Sequence, residues 1–226
     1  MEYLIDSANL EDIKYINEFY PIAGATTNPS LVAKEKKNFC ELVDSIRAIL
    51  GAEKMLHVQT TAVKAEDIVK EAEMLKNRLG DNFFIKIPIC EEGLKATSML
   101  KKGGIGVTMT AIFTPQQALL AAKAGASYVA PYVNRLDNIS ADGVKTVADI
   151  VALFDIYNID CRVLAASFKN TQQLHNVALA GSHSATISAD LFKAAIYHPM
   201  TDSAIEGFTR DWKSVYGDNK VSDLLK

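Results

Sequence analysis

The chain has 226 residues, of which 49% are hydrophobic and 23% charged, and its formal charge is −3. That is the make-up of a globular domain with a sizeable core, and without a basic stripe it excludes nucleic acid and anionic membrane as main partners. The three cysteines, Cys40, Cys90 and Cys161, are far apart with no C-x-x-C pair, so neither a disulfide framework nor a zinc site is expected and a reducing compartment fits best.

No apolar run approaches the roughly 20 residues of a membrane span. The opening MEYLIDSANL has no basic segment followed by an apolar one, so a cytoplasmic protein is expected. Along the chain, short β-branched runs alternate with helical patterns. The first strand is predicted over 3–6, followed by the helical stretch LEDIKYINEFY, and the second over 22–26. A third run covers 56–59. The helix KAEDIVKEAEMLKNRLG then places Ile68, Ala72 and Leu75 on one face, with Gly80 as its stop. Strands follow at 83–87 and 106–110. The segment TPQQALLAAKAGA starts a helix with Thr114 as N-cap and Pro115 in the first position, and ends at Gly125. Runs at 127–131, 162–166 and 185–188 complete the series, and an amphipathic tail over 204–216 carries Trp212.

These runs are almost continuously apolar, the pattern of parallel strands covered on both faces. Strict strand–helix alternation predicts an α/β protein with a parallel sheet, and eight such units favour closure into a (β/α)8 TIM barrel. The expected organisation is one domain over 1–226, with the barrel over 1–200 and a C-terminal helical extension over 201–226. The chain is shorter than the roughly 250 residues typical of the fold, so its loops must be short.

Active sites of such barrels lie at the C-terminal ends of the strands. There the sequence sets Asp6, Asn28, Gln59, Lys86, Thr110, Tyr132, Ser167 and Ser188, one polar group for each strand. Lys86 is the only charge in FFIKIPI. A lysine with both strand faces buried must pair or lose its proton, and a neutral amine is what Schiff-base formation requires. Taken singly, each residue also has a structural reading. Lys86 could be salt-bridged or snorkel outward. Asp6 could cap the helix after it, Asn28 could cap the helix opened by Pro29, and Ser167 could cap the helix near Asn170. Tyr132 could be a rim aromatic, Arg135 a surface cation and Thr110 an ordinary strand end. His57, His175, His183 and His198 lack metal-ligand spacing, and a structural role is expected for His183 and His198. His57 shares the face of Gln59 but sits deeper, with no role assigned. KKGGIG precedes the fifth strand, at the wrong end of the barrel for a phosphate cradle.

The motifs LIDSAN, GATTNPSL, IKIP, TMTAIFTPQQA, AGASYVAPYVNRLD, VLAASFKN and HPMTD together resemble the small-subunit transaldolase family, and within it the fructose-6-phosphate aldolase branch. The likeness spans almost the whole chain. It implies carbohydrate metabolism by metal-independent class I aldol chemistry without a cofactor, and a homo-oligomer, decamer or pentamer. Lys86 is then the Schiff-base lysine, Asp6 and Asn28 bind sugar hydroxyls, and Thr110 holds a catalytic water. Arg135 and Ser167 receive the substrate phosphate, with Lys169 beside them. Transaldolases typically carry Glu, Ser and Phe where this chain has Gln59, Ala130 and Tyr132, so all three positions resemble the aldolase branch. A tyrosine hydroxyl beside the lysine can act as general acid–base, and Gln59 removes a titratable group. The expected reaction is reversible cleavage of fructose 6-phosphate to dihydroxyacetone and glyceraldehyde 3-phosphate. The alternatives are transfer of the dihydroxyacetone unit by a transaldolase and a non-catalytic sugar-phosphate-binding barrel.

Overall fold

The computed structural model describes residues 1–225. In chain order, β1 (Glu2–Asp6) leads to α1 (Leu10–Phe19), and β2 (Ile22–Thr26) to α2 (Pro29–Glu35) and α3 (Phe39–Leu50). Next come β3 (Met55–Gln59), α4 (Ala65–Leu79), β4 (Phe83–Pro88), α5 (Glu91–Lys102), β5 (Gly106–Ile112) and α6 (Pro115–Ala124). They are followed by β6 (Tyr128–Pro131), α7 (Val133–Asp137), α8 (Gly143–Ile156), β7 (Arg162–Ala165), α9 (Thr171–Leu179), β8 (Ser184–Ile187) and α10 (Ala189–Ile196). Two further helices, α11 (Pro199–Tyr216) and α12 (Val221–Leu224), end the chain.

The eight strands pair in sequence order and close, with β8 parallel to β1. This is the predicted (β/α)8 barrel, with every predicted strand found to within one or two residues. Two compact units divide between Phe192 and Lys193, within α10. The first, Met1–Phe192, is the barrel. The second holds α11 and α12, where the Trp212 indole N–H donates to the Asn219 carbonyl at 2.7 Å and the ring rests on Tyr216.

Local chemistry accounts for the helix ends. Thr114 and Gln117 form a reciprocal capping box ahead of α6, and Gly125 closes that helix at φ +105°. Gly80 ends α4 at φ +78°. Asn9, Asn28, Asn38, Asp142 and Asn170 cap their helices through side-chain oxygens.

Alternation along each strand sorts residues into two cores. Ile5, Val58, Ile85, Ile87, Val107, Val129 and Val163 join the helix layer, against Ile13, Ile46, Ile68, Leu100 and Phe154. Inside the barrel, the apolar floor is Leu4, Tyr128 and Leu164, with Ala23, Met55 and Phe84 packed against it. Further along the strands the interior becomes polar: Thr26, His57, Lys86, Thr108, Thr110 and Thr186 are all buried. Only the floor of the interior is therefore apolar throughout.

Candidate active site

The site is assembled from strand register. In β4, Ile85 and Ile87 belong to the helix-side core, so the intervening Lys86 projects inward. Its neighbours in register are Gln59 on β3 and Thr108 on β5. The side chain is 5% exposed, and its Nζ donates to the Thr27 carbonyl at 2.9 Å. Among the described residues no carboxylate lies within salt-bridge distance of it, so the salt-bridged reading fails. Burial pushes the amine below its ordinary range, and the nearby Asp6 carboxylate opposes this without reversing it.

Asp6 does not cap α1, because Asn9 does so. Its carboxylate instead accepts from Thr26 Oγ1 at 2.7 Å, and that hydroxyl pairs with Thr186 Oγ1 at 2.6 Å. Asn28 is half-buried and caps α2, accepting from the Leu31 amide at 3.1 Å, as its position before Pro29 suggested. It also follows the residue whose carbonyl holds Lys86.

Opposite, Thr110 Oγ1 donates to the Tyr132 phenol oxygen at 3.2 Å. A bulge makes this meeting possible. The β5–β6 register shifts between Met109 and Ile112, and Ala111 takes φ +57°, so β5 bends as it passes Thr110. Tyr132 meets Phe113 edge-on at 5.5 Å, and the Arg135 guanidinium sits over its ring at 4.6 Å. Ala130, two residues earlier on β6, is buried.

Arg135 is exposed on α7, a five-residue helix that periodicity did not signal. Ser167 does not cap α9, because Asn170 does. It adopts φ +62°, and its carbonyl accepts from the Asn134 amide at 2.7 Å, bringing the two expected phosphate residues onto adjoining segments. Lys169 follows with an exposed side chain, and no hydrogen bond ties its ammonium to the other candidates. Ser188 is a cap, accepting from the Leu191 amide. His183 accepts from the Val163 amide and His198 caps α11, structural roles as expected.

The sequence sets His57 deeper than Gln59 on the same face but gives no role to it or to the layer beneath Lys86. His57 is fully buried, stacked on Phe84 at 4.7 Å, with Nδ1 2.8 Å from Thr108 Oγ1 and Nε2 without a hydrogen-bond partner. Burial, with Lys86 adding repulsion, lowers its pKa from 6.5 to about 3, so the ring is neutral. The period of two was the available signal: His57, Thr108 and Thr186 stand two residues before Gln59, Thr110 and Ser188.

A buried amine of lowered basicity at the C-terminal end of a barrel, with a carboxylate near it, is equipped for carbonyl chemistry. The chain also has named relatives. A "Probable fructose-6-phosphate aldolase" of Streptococcus pneumoniae is 39% identical over 222 residues, 98% of this chain and 100% of the relative. A "Probable transaldolase" of Brevibacillus brevis is 43% identical, covering 95% of this chain and 99% of its own length. Another, from Agathobacter rectalis, is 42% identical, covering 96% and 100%. Among solved structures, a mandelate oxidase variant superposes with a TM-score of 0.57 at 12% identity, covering 92% of this chain and 69% of the other, a likeness of fold alone. The Transaldolase/Fructose-6-phosphate aldolase family profile matches residues 3–220. With that match and relatives of this identity along nearly its full length, the chain belongs to the transaldolase/fructose-6-phosphate aldolase family.

Proposed function

We propose that this protein is a class I aldolase that cleaves fructose 6-phosphate reversibly to dihydroxyacetone and glyceraldehyde 3-phosphate through a Schiff base on Lys86. The observation that carries the proposal is the Lys86 amine itself, 5% exposed, held by a backbone carbonyl and made less basic by burial. A neutral amine is the nucleophile such a reaction needs, and burial shifts Lys86 toward that form.

The amine attacks the C2 ketone, and loss of water leaves an iminium ion. Electrons of the C3–C4 bond flow into it, forming an enamine, while the C4 hydroxyl loses its proton and leaves as the aldehyde. Tyr132, hydrogen-bonded to Thr110, gives its proton to the hydroxyl lost as water, and the resulting phenolate takes the C4 hydroxyl proton, directly or through a water held with Gln59. The enamine is then protonated at C3, and hydrolysis of the iminium frees dihydroxyacetone and restores Lys86. Asp6 and Asn28 hold the sugar hydroxyls. Arg135 and Ser167 receive the phosphate, with Lys169 adding charge at the edge.

A second reading follows from the two relatives named "Probable transaldolase" at 42–43% identity. In it the same enamine is captured by an acceptor aldehyde instead of a proton. Gln59, Ala130 and Tyr132 favour the aldolase. The experiment has two arms. Borohydride reduction with dihydroxyacetone should leave a stable adduct on the Lys86 peptide, and its absence defeats both readings in favour of a binding protein. Incubation with fructose 6-phosphate alone should release free dihydroxyacetone. If turnover requires erythrose 4-phosphate, the transaldolase reading replaces the aldolase.

A further inference from the structure

Two segments that diverge in sequence meet at the corner of the barrel mouth where the phosphate is assigned. Arg135 belongs to α7, whereas Ser167 and Lys169 belong to the loop between β7 and α9. Backbone hydrogen bonds join them at one end, Val133 N–H to the Ala166 carbonyl at 2.9 Å and Asn134 N–H to the Ser167 carbonyl at 2.7 Å. Among the described residues, the remaining hydrogen bonds across the junction come from a single side-chain amide.

Gln173, on the first turn of α9, is buried at 9% exposure. Its Nε2 donates to Asp137 Oδ2 at 2.6 Å and to Asn134 Oδ1 at 3.2 Å, gripping α7 on both sides of Arg135. Its Oε1 accepts from the Lys169 amide at 2.7 Å, gripping the other segment. Both amide hydrogens and the oxygen are therefore engaged, as burial of an amide demands. Asp137 is fixed in turn, its Oδ1 accepting from Gly143 N–H at 3.0 Å, and the start of α9 is fixed by Asn170 Oδ1, which accepts from the Gln173 backbone amide at 2.9 Å. The clamp brackets Ser167, whose φ of +62° is a conformation a non-glycine residue keeps only where its surroundings enforce it.

We propose that Gln173 is a positioning residue that sets the spacing between Arg135 and the Ser167–Lys169 loop, and so selects phosphorylated over unphosphorylated aldehydes. This rests on the aldolase reading and deepens it. A mere fold-stabilising glutamine would treat both aldehydes alike. A positioning glutamine acts only where two segments must grip one anion, since small misplacements of oriented groups carry large kinetic effects.

The test is aldol addition of dihydroxyacetone to glyceraldehyde 3-phosphate and, separately, to glyceraldehyde. It compares the native enzyme with Gln173→Met, which keeps side-chain length without its hydrogen bonds, and with Asp137→Ala, which breaks the same grip from α7. Both variants should raise KM for the phosphorylated aldehyde about ten- to a hundredfold. The kcat/KM for glyceraldehyde should stay within about twofold, and Arg135→Ala added to Gln173→Met should have much less than its separate effect. Equal changes for both aldehydes, or for neither, while Arg135→Ala remains phosphate-selective, would overturn the proposal, as would failure of both variants to fold. If Arg135→Ala shows no phosphate selectivity, the phosphate corner itself is misassigned and this inference falls with it. A persisting borohydride adduct on Lys86 then shows that the Schiff-base reading survives.

Discussion

Replacing His57 with phenylalanine should remove much of the protein's sensitivity to mild acid. The native imidazole is fully buried, and its pKa is lowered from 6.5 to about 3. Between those values the unfolded chain takes up a proton at this position and the folded chain does not, so stability falls as pH falls. The loss grows at about 1.4 kcal/mol per pH unit below 6.5, reaches about 2 kcal/mol at pH 5 and ends near pH 3. At pH 7.5 both forms are neutral and the contribution vanishes. Phenylalanine keeps an aromatic ring against Phe84 and Tyr128, at the cost of the Thr108 hydrogen bond, worth about 1 kcal/mol. It also removes the unpartnered buried Nε2, which offsets that loss in part. Urea unfolding of both proteins at pH 7.5 and pH 5 gives the measurement. Other acid-sensitive groups, His183 included, act in both proteins and cancel in the difference. The native protein should lose about 2 kcal/mol more than the variant on acidification. Equal losses would mean that His57 titrates normally and that the barrel interior is wet.

Lys86→Met should abolish the borohydride adduct and raise the unfolding temperature, because it removes a buried amine whose charged form burial opposes; a lower melting temperature would show that the Thr27 hydrogen bond outweighs that cost. Tyr132→Phe should lower kcat for cleavage about a hundredfold with KM little changed, as loss of a general acid–base would; unchanged turnover would take the phenol out of proton transfer. Gly125→Ala, at φ +105° and with its new methyl against the Lys101 side chain, should destabilise the fold by about 1 kcal/mol in urea titrations without altering activity.

The strands were legible because β-branched runs bounded by glycine, proline and asparagine have few other uses, and order along the chain became order around the barrel. Lys86 was legible as the single charge in an apolar strand, and its inward aim follows from the burial of Ile85 and Ile87. Less visible were positions where geometry breaks a regular pattern. Nothing in TMTAIF signals that Ala111 would turn left-handed and bend β5 toward Tyr132. Asp6 and Ser167 each sit near a helix start, so the sequence leaves a capping role open for both, but Asn9 and Asn170, nearer to the first turn, take that role. Gln173 looks like any polar residue of a surface helix, because its partners come from a segment more than 30 residues earlier. His57 lay on the correct face, and only the tertiary contact with Thr108 shows how the interior accommodates it.

The hold on Lys86 also bears on how such an enzyme can change over time. The group that anchors the amine is the main-chain carbonyl of Thr27, which any amino acid at that position would supply. The other proposed site residues, Gln59, Tyr132, Arg135 and Ser167, contribute side chains that a single codon can alter. Under the proposed mechanism, substrate preference and the fate of the intermediate are therefore open to mutational drift, whereas the mooring of the amine is written in the peptide backbone and is inherited with the fold.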